Sequence, residues 1–150
     1  MIGTLKRIVA YDKQRKPSFL SQVLLSAGKG IPGDRHWDDD RDPISVWFYP
    51  PDIEDLGSWP PPEQRKGLCT VKFRANLMVE PVPGRQNTAN LAVGDLLRVG
   101  DAVLAIHNKK PCYDQCPLVA SGKACGLKDN VYFTSVTRSG TISVGGRVEK

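Results

Sequence analysis

The chain has 150 residues, 40% of them hydrophobic and 25% charged. That is enough for one domain with one sizeable core, and no apolar run approaches the ~20 residues of a membrane span. The net charge is +5, with 12 prolines, 14 glycines and four cysteines, a balance that favours anionic partners and many turns over long helices. Apart from Lys13, Arg15 and Lys16 near the start, the basic residues are scattered, and no aromatic residues interleave with a basic stripe, so no nucleic-acid partner is expected.

Along the chain, short runs rich in Val, Ile, Leu and aromatics are bounded by Gly, Pro, Asp or Asn. They predict strands at Leu5–Tyr11, Gln22–Ser26, Ile44–Tyr49, Leu68–Phe73, Asn76–Glu80, Leu96–Val99, Val103–His107, Val131–Thr137 and Thr141–Val144. Gly94-Asp95, Gly100-Asp101 and Ser139-Gly140 supply turns between them. Asp52 predicts the cap of a short helix through Leu56, closed by Gly57. One helical turn is predicted at Pro117–Ser121. The run Trp59-Pro60-Pro61-Pro62 excludes regular structure, because proline removes donors and restricts the residue before it. Pro50 through Gln64 reads as a surface excursion within a single domain. The fold class is therefore mainly β, a barrel or sandwich with a few short helices and long loops. The first residues, M-I-G-T-L-K-R-I-V-A-Y, lack the apolar core and cleavage site of a secretory signal. A cytoplasmic location is expected, in which cysteines stay reduced.

Three constellations carry chemistry. The first is Gly30-Ile31-Pro32-Gly33-Asp34-Arg35-His36, followed by Arg41 and the strand at Ile44. Glycines allow close backbone approach to a ligand, Asp34 can tie down the turn, and His36 and Arg41 offer donors for an anion. The same residues are also compatible with a plain polar turn. The second is Phe73-Arg74-Ala75-Asn76-Leu77, where Asn76 carries both donor and acceptor.

The third is the cysteine stretch K-K-P-C-Y-D-Q-C-P-L-V-A-S-G-K-A-C-G, a C-x3-C-x8-C pattern formed by Cys112, Cys116 and Cys125. Three readings are open. Zinc would take Cys112, Cys116 and Cys125 with His107 or Cys69 as a fourth ligand, although a second tight pair is missing. A thiol–disulfide relay would use a spacing one residue longer than C-x-x-C. A single reactive thiolate would be Cys112, beside Lys109 and Lys110, with Cys116 or Cys125 as a resolving partner. Cys69 reads as core. Phosphate-loop, zinc-helix and nucleophile-elbow motifs are absent from the sequence.

The order of these motifs is more telling than any one of them. G-I-P-G-D-R-H, Arg41, F-R-A-N-L, L-A-V-G-D-L-L-R-V-G, P-C and S-G-T-I-S-V-G-G-R-V follow one another. The chain resembles the MOSC domain, named for the C-terminal domain of molybdenum cofactor sulfurases, and most closely its small stand-alone bacterial members. The resemblance covers roughly Gly28 to Val148, as one MOSC-like domain within residues 1–150. It implies a β-barrel and a cysteine, at Cys112, that carries sulfur as a persulfide or ligates molybdenum. It further implies a pocket for the molybdenum cofactor lined by Gly33, Asp34, His36 and Arg41 and supported by Asn76.

In some relatives a pyridoxal-phosphate domain generates the sulfur. No pyridoxal-phosphate site is expected in a chain this short, so the expected partners are a cysteine desulfurase or other sulfur donor and a molybdenum-cofactor or metal–sulfur acceptor protein. Two departures from the family pattern stand out: Gly145-Gly146 replaces the usual G-D, and Arg74-Ala75-Asn76 replaces an acidic or glycine-rich approach to the asparagine. The second adds a cation beside the expected pocket. The functional expectation is a sulfur carrier or cofactor-binding protein. The alternatives are a molybdenum-cofactor-dependent reductase with Cys112 as metal ligand, and a zinc-stabilised binding module.

Overall fold

The computed structural model describes residues 1–39, 41, 43–50, 59–65, 67–70, 72–83, 91–113, 115–123 and 125–150. Among the described residues there are ten strands: β1 (Gly3–Tyr11), β2 (Pro17–Leu20), β3 (Gln22–Leu25), β4 (Ile44–Phe48), β5 (Leu77–Pro81), β6 (Leu96–Val99), β7 (Ala102–Lys109), β8 (Val131–Arg138), β9 (Gly140–Ser143) and β10 (Arg147–Glu149). One short helix, α1 (Pro117–Ala120), follows Cys116, and a 3-10 turn spans Pro62–Gln64. No helix among the described residues is long and apolar enough to cross a membrane.

Seven strands close into a barrel in the order β1-β10-β6-β7-β8-β4-β5 and back to β1. Every pairing is antiparallel except β4 with β5. Closure removes the exposed edges that an open sheet would present. Strand β1 serves two neighbours on one side: Gly3 and Thr4 pair with β10, while Ile8 to Tyr11 pair with β2. Strands β3 and β9 form a separate two-stranded sheet.

The alternation of each strand fills the barrel. Ile44, Val46 and Phe48 of β4, Leu77 and Val79 of β5, Ala102, Leu104 and Ile106 of β7, and Tyr132 and Val136 of β8 belong to one buried cluster. In β1 a register shift between Leu5 and Arg7 lets both Leu5 and Ile8 join that cluster despite their odd spacing. Strand β4 is buried along its whole length. Its outward residue Trp47, with Tyr49, packs in a second cluster with Ala75, Leu127 and Val131, joined at its edge by Trp59, Cys69, Phe73 and Cys125. The cysteine-bearing segments are thus fastened to the outside of the barrel wall.

Most expected strands are present, with ends displaced by a residue or two. None of the described residues of the apolar run Leu68–Phe73 lies in a strand. Leu68, Cys69 and Thr70 make turns, with the Lys72 and Phe73 amides donating to the Cys69 carbonyl at 3.1 and 2.9 Å. The Thr70 hydroxyl donates to the Gln64 carbonyl, a local bond that competes with ladder formation. Strands β2 and β10 were not expected. The first is exposed and starts at a proline, and the second is three residues long with one buried side chain, Val148. The helical turn at Pro117 is present. The expected helix at Asp52–Leu56, closed by Gly57, lies outside the described residues.

Leu104 is fully buried in the barrel, so Leu104→Ala should cost about 2–5 kcal/mol. Urea denaturation with an unchanged slope would measure this as a lower midpoint. A loss under about 1 kcal/mol would show that the barrel interior is not the packed core described.

Candidate functional site

Two neighbouring concavities carry nearly all the chemistry. The larger is a cleft of ≈ 440 Å³, within the usual size of small-ligand sites. Its floor is a buried hydrogen-bond node. The Asn76 side-chain amide donates to the Val9 carbonyl at 3.1 Å and to Asp34 Oδ1 at 3.0 Å. Its carbonyl accepts from the Ser45 amide at 3.0 Å and the Ser45 hydroxyl at 3.2 Å. Asp34 Oδ1 also accepts from the Tyr11 amide at 2.7 Å, and Oδ2 from the His36 amide at 3.0 Å.

Two of the expected pocket residues, Asp34 and Asn76, therefore meet as a buried pair that shapes the cleft from below. His36 lines it, half exposed, with Nδ1 3.6 Å from Asp39 Oδ2. Gly33 supplies the turn at φ +84, the left-handed region that favours glycine. It is not among the lining residues, and neither is the exposed Arg41.

The rim is basic. Arg15, Arg35, Lys72 and Arg74 line the cleft, against the two carboxylates Asp34 and Asp39. Of these, Arg74 is the cation added beside the expected pocket and Arg35 belongs to the glycine-turn motif. Tyr11, Ser45, Phe73 and Phe133 complete the walls. Burial, the largest influence, pushes the Tyr11 phenol above its ordinary range, so it stays a neutral donor, its hydroxyl 3.3 Å from the Ala75 carbonyl.

The smaller concavity is a cavity of ≈ 20 Å³ on which all four cysteines border: Cys69, Cys112, Cys116 and Cys125. All four are free thiols. The sequence grouped three of them and set Cys69 apart. The fold brings it in, because the turn at Leu68–Thr70 packs against α1. A Cβ at Gly67 would stand 2.8 Å from both Leu118 Cδ1 and Thr70 Oγ1, so a larger residue there would require those side chains to shift. Gly126 is pinned from both sides: its amide donates to Gln64 Oε1 at 3.1 Å and its carbonyl accepts from Trp47 Nε1 at 3.0 Å. His107 is elsewhere, on the exposed side of β7, hydrogen-bonded to the Ser135 hydroxyl. Among the described residues no three His, Cys, Asp or Glu side chains converge as a metal-binding group.

The thiols differ in setting. Cys112 is exposed and Cys116 is buried. The Leu68 amide is the largest influence on the Cys116 thiol. Against the opposing effect of burial, and with help from the Val119 and Leu118 amides, it holds the thiol below the ordinary range. Lys109 lies 3.4 Å from Asp129, while Lys110 lines the cysteine cavity and sits over the Phe73 ring, 5.7 Å from its centroid. Phe73 in turn lines the cleft. The Lys110–Phe73 contact is therefore a shared wall between the two concavities.

No family model matches the chain, and no curated protein matches it. Solved structures do. The YuaD protein from Bacillus subtilis aligns with TM-score 0.60 at 19% identity over 99% of this chain and 94% of its own. YiiM from Escherichia coli aligns with TM-score 0.56 at 19% identity over 99% of this chain and 69% of its own. The likeness is one of fold. A crystal structure titled as a hypothetical protein gives TM-score 0.60 and 19% identity over 99% of this chain, which spans 66% of that protein. The shared small β-barrel is the architecture that the MOSC resemblance implies.

Removing the node should be costly. Asn76→Ala leaves the Ser45 amide and the Val9 carbonyl without this partner, at roughly 1–3 kcal/mol for each buried group left unpaired. Thermal unfolding should show a clear drop, and an unchanged midpoint would refute the assignment of Asn76 as the floor of the cleft.

The Cys116 thiol gives a pH signature. A thiol held down by the fold stabilises the native state above the unfolded thiol pKa, and this increment fades as pH falls through the folded value. Relative to Cys116→Ser, the unmutated protein should gain stability as pH rises toward about 8.5. Denaturant titrations of both proteins across that range measure it, and parallel curves would rule out the amide effect.

Proposed function

We propose that the protein is a MOSC-type sulfur carrier in which Cys112 accepts sulfur and the neighbouring basic cleft receives an anionic, phosphate-bearing cofactor of the molybdenum-pterin class. The observation that carries this reading is the shared Lys110–Phe73 wall, which sets an exposed cysteine beside a cation-rimmed cleft. The order of motifs and the barrel fold support the same reading.

The cleft suits such a group. Arg15, Arg35, Lys72 and Arg74 provide charge-assisted donors for phosphate, while Phe73 and Phe133 offer apolar walls for a planar ring. Bound there, the cofactor would supply the metal that receives the sulfur. The chain's own residues would bind and orient it: arginines at the phosphate, and Asp34 and Asn76 holding the floor in shape.

Cys112 would load by persulfide exchange. Its thiolate attacks the terminal sulfur of a donor persulfide, a new S–S bond forms at Cys112, and the donor cysteine leaves as a thiolate that takes a proton from solvent. Release would follow when a second thiolate of the cavity attacks the inner sulfur of the loaded cysteine, closing a disulfide and expelling hydrosulfide.

Incubation with a cysteine desulfurase and cysteine, followed by intact-mass measurement, tests the carrier role. The protein should gain one sulfur, and Cys112→Ser should abolish the gain. Failure of the unmutated protein to gain sulfur would overturn the proposal. Elemental analysis after expression in a cofactor-competent host tests the cleft: bound molybdenum should be lost when Arg35 and Arg74 are both changed to Glu, and retention in that variant would remove the cleft from the reading.

A further inference from the structure

We infer that Cys116, not Cys112, is where the sulfur is stored: Cys112 accepts it at the surface and passes it to Cys116, within the cavity that Cys69 and Cys125 complete. This rests on the carrier reading above and extends it to the path the sulfur takes.

Four observations carry the inference. The first is size. The cavity offers ≈ 20 Å³, more than the roughly 10–15 Å³ that a single water needs, so it has room for one added sulfur atom. The second is exposure. Cys116 is 7% exposed and Cys112 is open to solvent, so a persulfide on Cys116 is shielded from small nucleophiles and reductants while one on Cys112 is not. The third is connection. The Cys116 amide donates to the Tyr113 carbonyl at 3.0 Å, and Cys112 and Cys116 border the same space. The fourth is polarity. The Leu68 amide, with those of Val119 and Leu118, favours negative charge on the Cys116 sulfur, and Lys110 and Lys128 add positive charge to the walls.

The transfer is balanced. The Cys116 thiolate attacks the terminal sulfur of the Cys112 persulfide. An S–S bond forms at Cys116 as the one at Cys112 breaks, and Cys112 leaves as a thiolate, protonated by solvent. The moving sulfur keeps its oxidation state and its proton, so no external oxidant or reductant is required.

Inorganic polysulfide serves as the probe. The folded protein is treated with polysulfide, freed of excess reagent and alkylated, and the extra sulfur is located by peptide mass spectrometry. It should map to Cys116. Cys116→Ser and Cys116→Ala should both carry it on Cys112 instead, and lose it to cyanide several-fold faster than the unmutated protein does. An extra sulfur confined to Cys112 in the unmutated protein, or equal lifetimes in all three proteins, would overturn the inference.

The desulfurase experiment separates the two proposals. Desulfurase loading that stays on Cys112 would sink the storage site and leave the carrier role standing. Polysulfide loading on Cys116 with no loading from desulfurase would do the reverse.

Discussion

The side chain of Asn76 joins more of this molecule than any other single group described. Its donors reach Val9 of β1 and the Asp34 carboxylate, and its acceptor takes the Ser45 amide and hydroxyl of β4. Two strands and the glycine turn are thereby held at the point where β5 begins. All of these groups are buried or nearly so, so each missing partner would carry the full cost of desolvation. A network of this kind is favourable only when every member is satisfied. The glycine turn cannot drift without breaking it, which fixes the position of His36 and the arginine rim above.

A second constraint comes from the double burial of β4. Its inward residues fill the barrel, while Trp47 faces outward and its indole N–H takes the Gly126 carbonyl. Trp47 also meets Trp59, ring centroids 4.8 Å apart. An aromatic patch of this size would be a liability if left open. Covering it requires the loops that carry Cys69 and Cys125, both of which pack at its edge. The cysteine cavity therefore results from sealing the barrel's outer wall. It adds Cys69, from a distant segment, to the three cysteines of the 112–125 stretch.

That origin explains what could be read from the sequence. The strands that line the barrel were legible because I-S-V-W-F or V-Y-F-T-S-V-T-R states its own preference, and turns such as Gly94-Asp95 need no tertiary contact to be recognised. Asp34 and Asn76 stood out as polar residues beside apolar runs. The structure makes them partners, a pairing that spacing along the chain could not show. Cys69 packs at the edge of the second cluster, in keeping with a core role, but none of its described neighbours lies in the expected strand. Leu68–Phe73 has the composition of a strand, but the Gln64 and Cys69 carbonyls capture its donors locally. The close approach of Gly67 to Leu118 is a cue that acquires meaning only in three dimensions. The basic rim escaped for a similar reason: Arg15, Arg35 and Lys72 are unremarkable surface cations until the fold gathers them.

The segment from Gly67 to Asn76 connects these constraints. It starts at the wall of the cysteine cavity, contributes Lys72, Phe73 and Arg74 to the cleft, and ends at the hydrogen-bond node. One short stretch therefore sets both the shape of the cleft and the environment of a thiol. The cations along it and beside it act on both, since a field that favours a bound phosphate also favours a thiolate or an ionised persulfide. Filling the cleft with an anion would offset that field and weaken the hold of the cavity on negatively charged sulfur. In the proposed cycle, occupancy of the cleft and release of sulfur would then be coupled through charge alone, with no movement of the barrel required. Lys110, placed over Phe73 and against the cysteine cavity, is the residue through which that coupling would be strongest.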